Sequence, residues 1–294
     1  MQTFSIREFP LPAPGTGPYG ITAGPDGAMW FTEVHAGRIG RITPDGAVAS
    51  YPLASPAARP TVITPGADGA LWFTEMTAGR IGRITTDGEV SSFALPTPDA
   101  GPFGIAAGAD GALWFTAMNA NRIGRITTDG EVHEHPLPTA GSFPSMIAAG
   151  PDGALWFTQN QGNRIGRMTT DGALAEYPLP TPGAGPVGIC AGPDGAMWFV
   201  EILANQVGRI TTDGAVTEWA LPAGARPHAI AAGADGALWI TLWGSNGIGR
   251  MTTDGAFTEI PIPTPGAEPH GIAPGPDGAL WFAGEAGMIG RIVP

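Results

Sequence analysis

The chain has 294 residues, a net charge of −12, 14 arginines and no lysine. That balance leaves no electrostatic footprint for nucleic acid or an anionic membrane, and the missing lysine excludes Schiff-base chemistry. Cys190 is the only cysteine, so no internal disulfide can form. The opening Met1-Gln2-Thr3-Phe4-Ser5 has neither a basic nor an apolar leader, and no apolar run approaches the ~18 residues of a spanning helix. A cytoplasmic monomer that binds neither nucleic acid nor membrane is expected.

Gly 46 and Pro 31 would suggest low complexity if they had no period. Here they have one: Trp30, Trp72, Trp114, Trp156, Trp198, Trp239 and Trp281 each follow an Asp-Gly and lie 42, 42, 42, 42, 41 and 42 residues apart. In the first copy a strand at Gly20-Ile21-Thr22-Ala23 turns at Asp26-Gly27 into a second over 28–34. A third follows over 38–43, and after a turn at Asp45-Gly46 a fourth over 48–53. Asp-Gly between apolar-rich runs is a strong hairpin signal, and four strands per repeat of about 42 residues indicate one propeller blade per repeat. The expected fold is all-β: a seven-bladed β-propeller filling residues 1–294 as one domain.

The second Asp-Gly turn occurs only six times, because the seventh copy stops at Arg291-Ile292-Val293-Pro294. Residues 4–11 resemble the fourth strand Val216-Thr217-Glu218-Trp219-Ala220-Leu221-Pro222, so the N-terminal segment is expected to complete the last blade and close the ring. The seven Trp residues read as filling between blades. The Arg-Ile-Gly-Arg copies recur with the blade and read as structural pairing.

Because all copies share the scaffold, a site is best sought where one copy departs from the others. Two positions vary together. The start of strand one carries Tyr19, Thr61, Phe103, Ser145, Val187, His228 and His270, each after a proline; four residues past each Trp stand Val34, Met76, Met118, Asn160, Ile202, Trp243 and Glu285. Both rings open on one face near the axis. Taking each hairpin as symmetric about its Asp-Gly places His270 opposite Glu285 and His228 opposite Trp243. Tyr19, Phe103, Phe143 and Trp243 add aromatic surface suited to a bulky, partly apolar ligand. Glu268, Glu285 and the imidazoles can hold a divalent ion, Mg²⁺ in preference to Zn²⁺ for a carboxylate-rich set, or serve as an acid/base site; the alternative is a solvated rim. His35, His133 and His135 fall on outer strands or loops, where a surface role is expected.

With seven blades, Gly-Pro-Tyr-Gly-Ile at Gly17-Pro18-Tyr19-Gly20-Ile21, Ala-Arg-Pro-His-Ala-Ile ending at Ile230 and Ala-Glu-Pro-His-Gly-Ile ending at Ile272, the chain resembles the virginiamycin B lyase family. The resemblance covers essentially the whole length, and its specific part is His228, Glu268, His270 and Glu285. It implies an antibiotic-resistance enzyme that opens streptogramin B cyclic depsipeptides at the ester by elimination and needs Mg²⁺. It further implies His270 as general base or acid, Glu268 and Glu285 as metal ligands, and His228 as a substrate contact; Tyr19 and Trp243 join it as substrate-binding candidates. Leu242, where other copies and the family carry Glu, and Met288, where a basic residue is expected, depart from the pattern near the site. Two rival readings are a metal-dependent lactonase, which calls for a deeper axial metal with Asp and Asn ligands, and a non-catalytic binding propeller.

Overall fold

A computed structural model of the chain describes residues 4–293; residues 1–3 and Pro294 lie outside the described residues, and with them the first part of the leader reading. β1 (Ser5–Pro10) is followed by the first blade, β2 (Pro18–Ala23), β3 (Met29–Glu33), β4 (Arg38–Ile42) and β5 (Val48–Pro52). The same four-strand unit recurs to β22 (Pro227–Ala232) and β23 (Leu238–Leu242) in the sixth blade and to β26 (Pro269–Pro274), β27 (Leu280–Gly284) and β28 (Met288–Val293) in the seventh. Seven four-stranded antiparallel sheets result, and the first strand of each blade contacts the first strand of its neighbours around the axis. No helix among the described residues is long and apolar enough to cross a membrane.

Ring closure follows the expected route. β1 lies against β28 in antiparallel register from Ser5↔Val293 to Pro10↔Met288, so the last sheet runs β1-β28-β27-β26. β1 thereby covers the edge of β28, which would otherwise be open to pairing with another strand.

Each blade is fastened by one repeated triad. Trp30 Nε1 donates to Asp26 Oδ1 at 3.0 Å while Arg41 Nε donates to Asp26 Oδ2 at 2.7 Å, and the six other copies do the same. The turn Asp therefore ties the hairpin to the third strand, and the second Arg of each Arg-Ile-Gly-Arg copy has a structural partner. The Trp rings are buried between blades, Trp72 packing with Ile105 and Leu113 of the following blade. A buried ring of this size removes about 150–250 Å² from water, the largest single apolar contribution a side chain makes.

A second ladder ties blade to blade. Thr32 Oγ1 donates to Thr61 O at 2.7 Å, and Thr74, Thr116, Thr158 and Thr241 reach the next blade's inner strand in the same way. Val200 and Ala283 hold the equivalent places and have no hydroxyl to donate.

Leu242 and Met288 are both buried in apolar clusters. Met288 fills the room left by Gly284, where an added Cβ would lie 2.6 Å from its sulfur. An apolar pair thus replaces the Glu↔Arg pairing seen at Glu33↔Arg38 and Glu75↔Arg80.

Candidate active site

The register of the last hairpin differs from the symmetric one. Gly275 N–H donates to Ala279 O at 2.7 Å around the three-residue loop Pro276-Asp277-Gly278, so Ile272 pairs with Phe282, one step away from the expectation. Pro269 then pairs with Gly284, leaving His270 and Gly271 together opposite Ala283. This is a β-bulge, which re-aims a side chain relative to the regular pleat. All seven blades carry it, so Tyr19, Phe103, His228 and His270 each occupy the first bulged position. His270 is not directly opposite Glu285 along the ladder, yet the two side chains meet.

His270 Nε2 bonds Glu285 Oε2. The backbone beneath is pinned from two sides: Glu285 N–H donates to Glu268 O at 3.0 Å, and Thr241 Oγ1 of the sixth blade donates to His270 O at 2.7 Å. Gly271 lets blades seven and one approach, since a Cβ there would lie 2.6 Å from Tyr19 O. Across that seam the Tyr19 ring stacks on His270 with centroids 4.4 Å apart, and its hydroxyl lies 3.3 Å from His228 Nε2. His228 in turn stands edge-on to His270, the two Nδ1 atoms 3.5 Å apart.

Electrostatics assigns the protons. The hydrogen bond from His270 holds the Glu285 carboxyl down at about 2 against its partial burial, helped by His35, so Glu285 is an acceptor at both oxygens. His270 Nε2 is then a donor. Burial raises the Tyr19 phenol further above its ordinary range, so it stays protonated and donates to His228 Nε2. The surrounding protein, followed by the nearby His270, pushes His228 down to about 3, which keeps it neutral with its proton on Nδ1. One assignment satisfies every contact: His228 Nδ1–H faces the lone pair of His270 Nδ1 at 3.5 Å, so His270 Nδ1 is the unprotonated nitrogen of that ring and can take a proton once a substrate displaces this contact.

Two expectations are corrected. Trp243 does not face His228: its backbone N–H donates to Arg226 O at 3.1 Å, its ring lies 5.6 Å from the Arg226 guanidinium, and with Glu268 it lines a groove. His35 is no bystander on the surface. Its Nε2 lies 2.7 Å from Glu285 Oε1, making it a member of the site that sequence reasoning missed. The signal was its place one residue beyond the varying ring, on the blade that closure sets next to Glu285. His133, which bonds Glu131, and His135, which stacks on Trp114, lie elsewhere. Thr241 was missed too, hidden by its recurrence in the inter-blade ladder.

Glu268 is exposed and holds a backbone φ of 50°, in the left-handed region. Among the described residues no three His, Cys, Asp or Glu side chains are gathered as a metal cluster. The donors at hand are the two carboxylates Glu268 and Glu285, both offering oxygen only. That set fits Mg²⁺, which commonly takes one or two carboxylates and fills its shell with water and substrate, and does not fit an all-protein Zn²⁺ or Ca²⁺ cage. The axial pocket is lined by Tyr19, His228, Met146 and aliphatic residues, with no Asp or Asn among its lining residues. The Asp and Asn ligands that a deep lactonase-type metal calls for are thus missing there. Burial pushes the Cys190 thiol up to about 12, so it is no nucleophile.

The model of the virginiamycin B lyase family matches residues 4–292. The chain belongs to this family. Virginiamycin B lyase from Saccharopolyspora erythraea is 62% identical over 45 residues, a match that spans 15% of each chain. Over the full length, virginiamycin B lyase from Staphylococcus aureus superposes with a TM-score of 0.96 at 49% identity, covering 99% of this chain and 100% of that one. A catalytically inactive H270A form of the Staphylococcus aureus enzyme with quinupristin superposes equally well, at 48% identity and a TM-score of 0.96. The family's fold and the mouth described above thus occur together in this chain.

Proposed function

We propose that this protein inactivates streptogramin B antibiotics by opening the cyclic depsipeptide at its ester through elimination, with Mg²⁺ as cofactor. The observation that carries the reading is the His270–Glu285 pair, with Nε2 tied to the carboxylate and Nδ1 left unprotonated, facing only His228. Membership of the virginiamycin B lyase family supports it, as does a relative with quinupristin that is inactive when a histidine is replaced by alanine.

His270 Nδ1 takes the weakly acidic proton from the carbon next to the carbonyl. The electrons of that C–H bond form the new carbon–carbon double bond as the adjacent C–O bond breaks, and the ester leaves as a carboxylate. Glu285 holds the ring in the tautomer this requires and stabilises the imidazolium that forms. His228 and Tyr19 form one wall of the site; Trp243, 37% exposed in the groove beside Glu268, offers an aromatic face to the substrate. Glu268 and Glu285 would hold Mg²⁺, which when bound supplies positive charge to the enolate developing next to the carbonyl.

Incubation with quinupristin and Mg²⁺, repeated with EDTA, tests this by mass spectrometry. Elimination yields a product isomeric with the substrate, and EDTA abolishes its formation. His270→Ala lowers the rate by about 10²–10⁴, the range for a general acid/base. A product heavier by one water, or full activity in His270→Ala, overturns the mechanism.

A further inference from the structure

The bond between His35 and Glu285 crosses the seam between the first and last blades and belongs to none of the roles above. Position 35 lies five residues beyond Trp30, where the other blades carry Thr77, Asn119, Gln161, Leu203, Gly244 and Ala286. It is the only imidazole in that set, as Glu285 is the only carboxylate in the neighbouring one. The two unique residues touch each other, at 2.7 Å.

The carboxylate sits just past the end of β27 and is partly open to solvent, with a side-chain exposure of 23%. One hydrogen bond to Oε2 leaves it free to turn about its terminal torsion and exchange His270 for water. A second donor on Oε1 removes that freedom. His35 is itself held to supply it: its backbone N–H donates to Thr16 O at 3.0 Å, and its ring packs so closely on Gly17 that a Cβ there would lie 2.4 Å from Cδ2. Gly17 has φ 66°, a left-handed turn that glycine adopts without steric cost.

We infer that His35 is a positioning residue: by donating from Nε2 to Glu285 Oε1 across the ring-closing seam, it fixes the carboxylate that orients His270 and so sets the rate of the proton transfer. This deepens the proposed elimination and rests on that reading for its kinetic consequence. The placement of the His270 proton does not depend on it.

The test compares His35→Leu and His35→Gln in the full chain. His35 lies on an exposed loop, so both variants keep the fold. With quinupristin and saturating Mg²⁺, kcat in His35→Leu falls by about 10-fold, the lower end for loss of a supporting hydrogen bond, while KM stays within about twofold. His35→Gln, whose amide nitrogen donates from nearly the same place, recovers most of the loss. In ¹⁵N spectra of the metal-free protein, His270 Nε2 carries its proton in the parent and in His35→Gln, and mixes tautomers in His35→Leu. Unchanged kcat with an unchanged His270 spectrum in His35→Leu overturns the inference, as does a rise in KM alone, which makes His35 a substrate contact. If the parent itself fails to turn over the antibiotic, the proposed function fails, and the spectra alone decide the role of His35.

Discussion

His35 and Glu285 stand 250 residues apart in the chain and 2.7 Å apart in space. Their contact exists because β1 closes the last blade and brings the first blade's loop beside the seventh's. Glu285 thus joins an imidazole on its own hairpin to one from the other end of the sequence, and closure of the propeller completes the site as well as the sheet.

Glu268 holds a left-handed backbone at a position filled by Gly17, Gly101 and Gly185 in other blades. For a side chain other than glycine that conformation costs about 1–2 kcal/mol. Glu268→Gly should therefore leave the thermal midpoint at or above that of the parent while activity with quinupristin is lost. A midpoint well below the parent's would show that the carboxylate stabilises the loop.

Thr241 Oγ1 supports the His270 carbonyl. Thr241→Val removes the donor without changing the shape and should cost about 1–3 kcal/mol, the usual penalty for a buried acceptor left unpaired. Because the loss falls on the backbone of the proposed base, kcat should drop as well. Thr74→Val, at the same place two blades from the seam, should cost similar stability in urea denaturation and leave kcat unchanged.

His228 is kept neutral down to about 3, whereas an unfolded histidine titrates near 6.5. Its folded pKa is depressed, so the unfolded chain binds the proton more readily. This contribution to stability is complete above pH 6.5 and declines as the pH falls towards 3, by at most about 1.4 kcal/mol per pH unit. Thermal midpoints of the metal-free protein should fall between pH 6.5 and 4.5, and His228→Asn should flatten that slope. An unaltered slope in the variant would assign the acid sensitivity to other groups.

Glu201 is fully buried, and burial followed by the nearby Glu218 raises its carboxyl to about 8. Folding takes up a proton there, so stability is lost as the pH rises from the unfolded carboxylate value near 4.5 through 8. In the preceding blade Gln159 holds the same place and donates to Glu176 at 2.9 Å. Glu201→Gln should copy that bond, raising the midpoint by about 2 °C or more at pH 8 and little at pH 4.5. A lower midpoint at pH 8 would contradict the assignment.

The sequence by itself determined the architecture. Blade number, strand number and the closing role of residues 4–11 all follow from local signals, the Asp-Gly turns and the Trp spacing, which act within one hairpin and repeat seven times. Reading where the seventh copy departs also singled out His270 and Glu285. Their alignment was misjudged because a three-residue loop and a bulge, both set by backbone geometry, shift the register without any mark in composition. What lies between blades only the tertiary structure decided: Tyr19 on His270, Tyr19 on His228, and His35 on Glu285. Each contact joins segments from different blades, and no periodicity within a repeat specifies which side chains meet once the ring closes.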